Sequence, residues 1–407
     1  MGDEIQSDEL RYERVLQEMP EEVFRMFTNA TAMREWLSDR ASADPRPGGY
    51  FYAGWDSGYY TSGEYTVVKP YDEVSFTWQG RNEPACSQVR VLLEAQEGKT
   101  LLTLIHSALG EGEAWKQVRR EIHDGWTAAL DRLEQVMHEG SDPRVTERPV
   151  LGIVFSNLDP DLAEHIGVPV TYGLRIDETI EGLGAQEAGL KKDDIIVEVN
   201  GKPVQDIGVL RSELRDRKAG DTVSLVVYRG AEKLPIDMKL SRLNIPKVPD
   251  NLTALAREVE KIYQKEDAEL DRVLKGVSEE EASFKQSDHD WSVKEIIAHL
   301  IHGERENQYW LSEMAVSRES TADGFGDNLD AHVQATVAVY GTFDALREEF
   351  NRSRKETVAL IERLPETFTR HKGSYWKVGY FFLWNKYHVS GHIKQIQQAV
   401  AAAREKK

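Results

Sequence analysis

The stretch KYHVSGHIKQI (386–396) sets two histidines, His388 and His392, four residues apart. On an α-helix, positions i and i+4 lie one above the other, so both imidazoles can address a single ion. Two ligands do not close a site. A catalytic zinc-type arrangement takes a third protein ligand and keeps one position open for water or substrate. The competing reading is a solvated helix face on which the spacing carries no chemistry.

Working outward, the surrounding sequence is helical. NLTALAREVEKIYQKEDAELDRVLKGV (251–277) carries Leu252, Leu255, Val259, Ile262 and Tyr263 at helical spacing, with Gly276 near its end. SVKEIIAHLIHGERENQYWLSEM (292–314) puts Ile296, Ile297 and Leu300 on one side, and TFDALREEFNRSRKETVALIERL (342–364) is stopped by Pro365. YFFLWNKYHVSGHIKQIQQAVAAA (380–403) reads as a fourth helix. Four such helices predict an up-down bundle, whose sites are built from side chains on facing helices. Seven of the eleven histidines of the chain fall after residue 250, and His299 and His302 in AHLIHGE are the candidates for a third ligand.

WSVKEIIAHL (291–300) followed by YHVSGHIKQI (387–396) resembles the DinB-like family, which is related to bacterial metal-dependent thiol transferases. The resemblance implies a three-histidine site made of His299, His388 and His392, with His302 in reserve. It also implies a divalent transition metal, zinc or nickel. Imidazole ligands suit either ion, and the ligand set does not choose between them. If the site is catalytic, the resemblance implies a metal-dependent thiol S-transferase or hydrolase, and by analogy a homodimer. His289, His332 and His371 match no motif position and are expected at the surface.

The middle of the chain, about 149–243, reads as short strands separated by glycine turns, with one brief helix near VLRSELRDR (209–217). PVLGIVFSNLDPDLAEHIGV (149–168), GLGAQEAGLKKDDIIVEVNGKPV (182–204) and GDTVSLVVYRG (220–230) resemble a PDZ domain of the bacterial, protease-associated type. Ala188-Gly189-Leu190 and Asn200-Gly201 stand at the family separation; Asp193 departs from it, where many relatives have glycine. PDZ domains add an extended peptide to a sheet edge and capture its terminal carboxylate on a backbone loop. Carried over by position, that loop is Leu151-Gly152-Ile153, and Leu210 and Leu214 wall the pocket for the last apolar side chain. The opposing expectation is a closed groove that serves as a spacer. No Gly-x-Ser-x-Gly elbow accompanies the segment.

In the first segment, Val74, Phe76 and Trp78, then Val89, Val91 and Leu93, alternate with polar neighbours as in half-buried strands. EIHDGWTAALDRLEQVM (121–137) changes period: Ile122, Trp126, Leu130, Leu133 and Val136 or Met137 form a helical stripe. MREWLS (33–38), PRPGGYFY (45–52), SGEYTVVKPYDEVSFTW (62–78), KTLLTLIHS (99–107) and HDGWTAALDRL (123–133) resemble the START-like (SRPBCC) superfamily, in its heat-shock-protein ATPase activator branch. That implies a helix-grip fold with a cavity for a small apolar ligand. Trp36, Tyr50, Phe51, Trp55, Trp78 and Trp126 are candidates to line it, or to pack as ordinary core.

Taken whole, 407 residues predict a multidomain α+β protein: a helix-grip domain over 8–140, a small β-rich PDZ domain over 148–243 and an all-α four-helix bundle over 250–405. HEGSDPRVTERP (138–149) and NIPKVPD (244–250) are the linkers. A net charge of −19 argues against nucleic acid as the main partner. No apolar run approaches membrane-spanning length. The single cysteine, Cys86, excludes an intrachain disulfide and predicts a reducing, cytoplasmic setting, with the thiol as a small core residue. The N-terminus shows no basic and apolar secretory pattern. Two functions remain open: an adaptor binding a peptide and a small ligand around a structural metal, or a metal-dependent enzyme.

Overall fold

The computed structural model describes residues 9–406, apart from 159, 215–216, 288–289, 321–328 and 385; for 161, 165, 329 and 386–388 it describes the backbone alone. The chain forms two compact units, one from the residues up to Asp142 with Pro246 onward, the other spanning Pro143–Ile245.

The first unit begins with β1 (Leu10–Leu16), the helices α1 (Pro20–Thr28) and α2 (Ala30–Trp36), then six strands: β2 (Arg40–Ala43), β3 (Tyr50–Gly54), β4 (Tyr60–Lys69), β5 (Glu73–Gly80), β6 (Ser87–Gln96) and β7 (Lys99–Ser107). They pair antiparallel in the order β1-β7-β6-β5-β4-β3-β2. In β6 the alternation is plain: Val89, Val91 and Leu93 are buried while Gln88 and Arg90 are exposed. The long α3 (Glu113–Glu139) buries Ile122, Trp126, Leu130, Leu133, Val136 and Met137 in one cluster with the inward residues of the sheet. Each such side chain contributes about 1.5–3 kcal/mol on leaving water. Gly140, left-handed at φ +77°, ends the helix by donating its N–H to Val136 O. Cys86 lies just before β6 and is exposed rather than in the core.

After residue 246 the same unit continues with α8 (Leu252–Leu274), α9 (Glu279–Ser283), α10 (Val293–Ala315), α11 (Leu329–Tyr340), α12 (Phe343–Arg363), a 3-10 turn (Glu366–Arg370), α13 (Lys372–Trp384) and α14 (Lys386–Glu405); α4 to α7 belong to the other unit. Helix α8 packs on α12 and α14, and α10 on the same two, which closes a four-helix ring. The run expected as one last helix is helical on both sides of residue 385, which lies outside the described residues. Helix α13 packs against α8 and α10 on one side and against α2 and α3 on the other. Gly373 permits the approach, because a Cβ there would meet Glu35 Oε2 at 2.3 Å. The segment just after α10 also meets this region: Arg34 pairs with Glu319 at 3.1 Å, and Asn29 Nδ2 donates to Ser317 O at 2.9 Å. Ser374 Oγ donates to the buried Glu35 carboxyl, which burial pushes upward in pKa.

The second unit contains α4 (Pro143–Thr146), β8 (Pro149–Val150), β9 (Ile153–Asn157), α5 (Pro160–Ile166), β10 (Leu174–Thr179), α6 (Gly184–Glu187), β11 (Ile195–Val199), β12 (Lys202–Pro203), α7 (Ile207–Leu214), β13 (Thr222–Arg229), β14 (Glu232–Lys239) and β15 (Ser241–Arg242). Its main sheet runs β14-β13-β11-β10-β9 with β12 on β11, so β9 is an edge strand. Asn200 and Gly201, both at positive φ, make the tight turn from β11 to β12. Asp193 occupies a left-handed position at φ +69°, and Arg175 holds its carboxylate with Nε at 2.7 Å. That contact supports the backbone strain where a glycine would have none.

Candidate functional site

The start of α10 is fixed by a capping box. Ser292 Oγ accepts from Glu295 N, and Glu295 Oε2 accepts from Ser292 N at 2.7 Å. With the helix so started, Ile296, Ile297, Leu300 and Ile301 are buried, and His299 lies half-buried at the edge of that face. On α14 the buried positions are Val389, Ile393, Ile396 and Val400, so His392 sits beside the core stripe. These registers bring the His299 and His392 rings to 4.7 Å between centroids, inclined at 63°. Trp291 covers His299 with ring centroids at 5.1 Å. His392 Nδ1 lies 3.0 Å from Gln395 Oε1, and burial lowers its pKa, which favours the neutral ring a metal needs.

Two of the three expected imidazoles therefore meet. His388 stands one turn before His392 on α14, and its side chain lies outside the described residues. Among the described residues, no three histidine, cysteine, aspartate or glutamate side chains are gathered to hold a metal ion. His302, the reserve ligand, is engaged elsewhere: its Nε2 is 3.0 Å from His332 Nδ1 and 3.0 Å from Glu306 Oε1. His332 is exposed as expected but is not isolated. His371 is half-buried, near Ser317 Oγ, and burial with the nearby Arg25 and Arg370 lowers its pKa to about 4. His289 lies outside the described residues.

A cavity of about 230 Å³ opens beside His299, between α8, α10, α12, α13 and α14. Phe350, Phe382 and Val389 give it an apolar side, and Tyr263, Glu266 and Glu304 a polar one. Glu304 Oε2 accepts from Thr357 Oγ1 at 2.8 Å and from Tyr263 Oη at 3.1 Å. Behind it the buried Arg354 lies 3.9 Å over the Tyr263 ring and pairs with Glu266 and Asp267. Burial raises the pKa of Glu266 and of Glu304, and Arg354 opposes it in both cases. The sequence shows these residues only as scattered charges on separate helices, with no spacing that announces a network.

In the helix-grip part, Trp55, Trp78 and Trp126 line a cavity of about 530 Å³, together with Tyr59, Ile122 and Val118. The other candidates are elsewhere. Trp36 is fully buried and donates to Met26 O at 2.9 Å, Phe51 stacks on Phe76 at 4.3 Å, and Tyr50 is exposed. Some of the polar groups at the cavity serve one another. Glu83 accepts from Tyr59 Oη at 2.7 Å and from Gly80 N at 2.9 Å. His106 lies behind Trp126, fully buried, with its pKa lowered by burial to about 3.

In the PDZ-like unit, Gly152 sits at φ +84°, and a Cβ there would meet Leu183 Cβ at 2.4 Å. The chain can turn and pack at this point only without a side chain. Leu151 is buried, Ile153 partly so, and Gly152 O accepts from Ile180 N at 2.8 Å. Leu210 packs in the core, while Leu214 is half-buried on the same helix. Val154 and Phe155 are exposed on edge strand β9. No helix among the described residues is long and apolar enough to cross a membrane.

Comparison with known proteins agrees segment by segment. Residues 19–138 match the family model described as Activator of Hsp90 ATPase homolog 1-like protein, 149–240 the PDZ domain, and 262–396 the DinB superfamily. The AHSA1 protein from Silicibacter pomeroyi is 27% identical over 32% of this chain and 97% of its own, with a TM-score of 0.28. An HSP90 activator from Plasmodium falciparum is 24% identical over 32% of this chain and 97% of its own, with a TM-score of 0.29. Periplasmic pH-dependent serine endoprotease DegQ of Escherichia coli is 32% identical over 94 residues, 23% of this chain and 21% of that protein. A probable periplasmic DegP-like endoprotease of Marinomonas is 35% identical over 121 residues, 30% of this chain and 25% of that protein. The chain thus spans about a fifth to a quarter of the length of these curated relatives, which match around the PDZ region. The chain is a multidomain α+β protein that joins an AHSA1-like segment, a PDZ domain and a DinB-superfamily helical segment.

Proposed function

We propose that the chain is a cytoplasmic binding protein in which the PDZ groove takes the C-terminal or extended peptide of another protein and the bundle holds a divalent transition metal, zinc or nickel. The metal ligands in this reading are His299, His388 and His392. The observation that carries it is the meeting of His299 and His392 at 4.7 Å from two different helices. Two imidazole ligands converging from facing helices fit an ion of this class. The single cysteine supports the reducing compartment. Three segments matching modules that bind other molecules support a binding role in general.

For the peptide, edge strand β9 offers backbone groups and the Leu151-Gly152-Ile153 loop offers N–H donors to a terminal carboxylate. For a small apolar ligand, the tryptophan-lined cavity of the helix-grip part offers aromatic surface, with the Tyr59 hydroxyl already bonded to Glu83. A second reading is favoured by the cavity beside His299, which gives a small substrate room next to the histidines. In that reading the site is a thiol S-transferase or hydrolase. A bound divalent ion there would lower the pKa of a coordinated water or thiol.

Elemental analysis of purified protein beside His392→Ala tests the metal reading. Stoichiometric zinc or nickel that disappears in the variant supports it, and a wild type that stays metal-free after incubation with both ions overturns it. Metal-dependent consumption of a low-molecular-weight thiol with an electrophile would select the enzyme. A peptide library with apolar C-termini tests the groove, where the absence of any selective binder counts against the adaptor.

A further inference from the structure

We infer that Gln395 is a positioning residue for the histidine pair: it fixes His392 in the tautomer that carries its proton on Nδ1 and leaves Nε2 as the ligating atom. The inference rests on the metal reading above and names a residue which that reading does not include. Gln395 lies three residues after His392 on α14, so the two share a helix face. The neighbouring Ile393 and Ile396 are buried in the bundle core, which holds that face in register.

The contact is His392 Nδ1 to Gln395 Oε1, at 3.0 Å. An amide oxygen only accepts hydrogen bonds, and a neutral imidazole carries one N–H. The proton therefore stands on Nδ1, where it can donate, and Nε2 keeps its lone pair. A metal-bound histidine requires this division of roles, with the second nitrogen donating to an oxygen that orients the ring and raises ligand basicity. Gln395 would otherwise read as one more polar residue on a half-buried helix face.

The test uses the full-length protein. Ring 15N chemical shifts of the metal-free protein at pH 8, with the His392 signals assigned by their loss in His392→Gln, report the tautomer directly. Wild type is expected to show a pyrrole-type Nδ1 and a pyridine-type Nε2. Gln395→Met, similar in size but without the acceptor, should give mixed tautomers and bind zinc about 10–100-fold more weakly in competition with a chromophoric chelator. Gln395→Glu restores the acceptor and should recover both the tautomer and the affinity, a rescue that a merely structural role for the side chain would not produce. A wild-type ring protonated on Nε2 overturns the inference, as does a Gln395→Met variant with unchanged tautomer and unchanged zinc affinity. If the tautomer depends on Gln395 but no variant, wild type included, binds zinc or nickel, the metal reading fails while the positioning of the ring stands.

Discussion

His106 in the helix-grip core and His392 in the bundle are both imidazoles whose pKa burial lowers, yet their surroundings differ in kind. Trp126 Nε1 donates to His106 Nδ1 at 2.9 Å, so the proton of the neutral ring is on Nε2, which lies 2.7 Å from Ser87 Oγ. Ser87 Oγ in turn donates to Trp78 O at 3.1 Å. Both nitrogens of His106 are spent on fixed neighbours, and the chain of bonds ends on backbone. His392 places one nitrogen on Gln395 and its ring against a second histidine. Burial alone therefore marks neither ring as functional. What distinguishes them is the kind of neighbour: indole, hydroxyl and backbone groups about His106, and beside His392 a second imidazole from another helix.

The contrast predicts opposite outcomes for parallel substitutions. His106→Ala removes a fully buried ring and strands the Trp126 N–H, so a loss of about 3–5 kcal/mol is expected in urea unfolding, with metal content unchanged. The same residue predicts a pH dependence. Its pKa is about 3 folded against an ordinary value of 6.5, so below 6.5 the unfolded chain takes up a proton that the folded chain refuses. Its contribution to stability is complete above pH 6.5 and is lost as pH falls toward 3, by a few kcal/mol in total, on the order set by linkage. Unfolding midpoints of wild type and His106→Gln between pH 7 and 4 check this, with a flatter profile expected for the variant.

Gly152→Ala falls between the two extremes. The positive φ and the close Leu183 contact together cost about 1–3 kcal/mol in the PDZ-like unit, and peptide binding is expected to weaken with it. Thermal unfolding and a peptide titration read the two effects separately. The smallest expected stability effect is that of His392→Ala, within about 1 kcal/mol by urea unfolding, because the ring is only half-buried at the edge of the core stripe. Loss of metal with little loss of stability would sharpen the contrast with His106; a large loss of stability would erase it.

Much of this architecture is legible in sequence because its signals are local. The alternation of Val89, Val91 and Leu93, the stripe Ile122 to Met137, the S-x-x-E box before α10 and the Asn200-Gly201 turn each report their own element. Other features depend on residues far apart in the chain. Arg354 meets Glu266 and Glu304 from three helices, and His302 finds His332 on α11, a helix without a strong stripe of its own. Trp36 and Phe51 could not be told from Trp55, Trp78 and Trp126 by residue type. Position on the strands and helices decides which rings meet solvent in the cavity and which fill the core.

The packing of α13 carries one more consequence. Gly140, at the end of α3, lies against Lys372 and Trp376 of this helix, and Val248, just past the PDZ-like unit, lies against its Gly379. The polypeptide therefore departs from and rejoins the same short helix, and everything between is an excursion about a hundred residues long. Such a cassette can be lengthened, exchanged or excised with little bearing on the scaffold that holds its two ends, since the entropy of closing a loop grows only slowly with its length. Whatever the PDZ-like unit recognises is thus free to drift while the histidine pair stays where the helices put it.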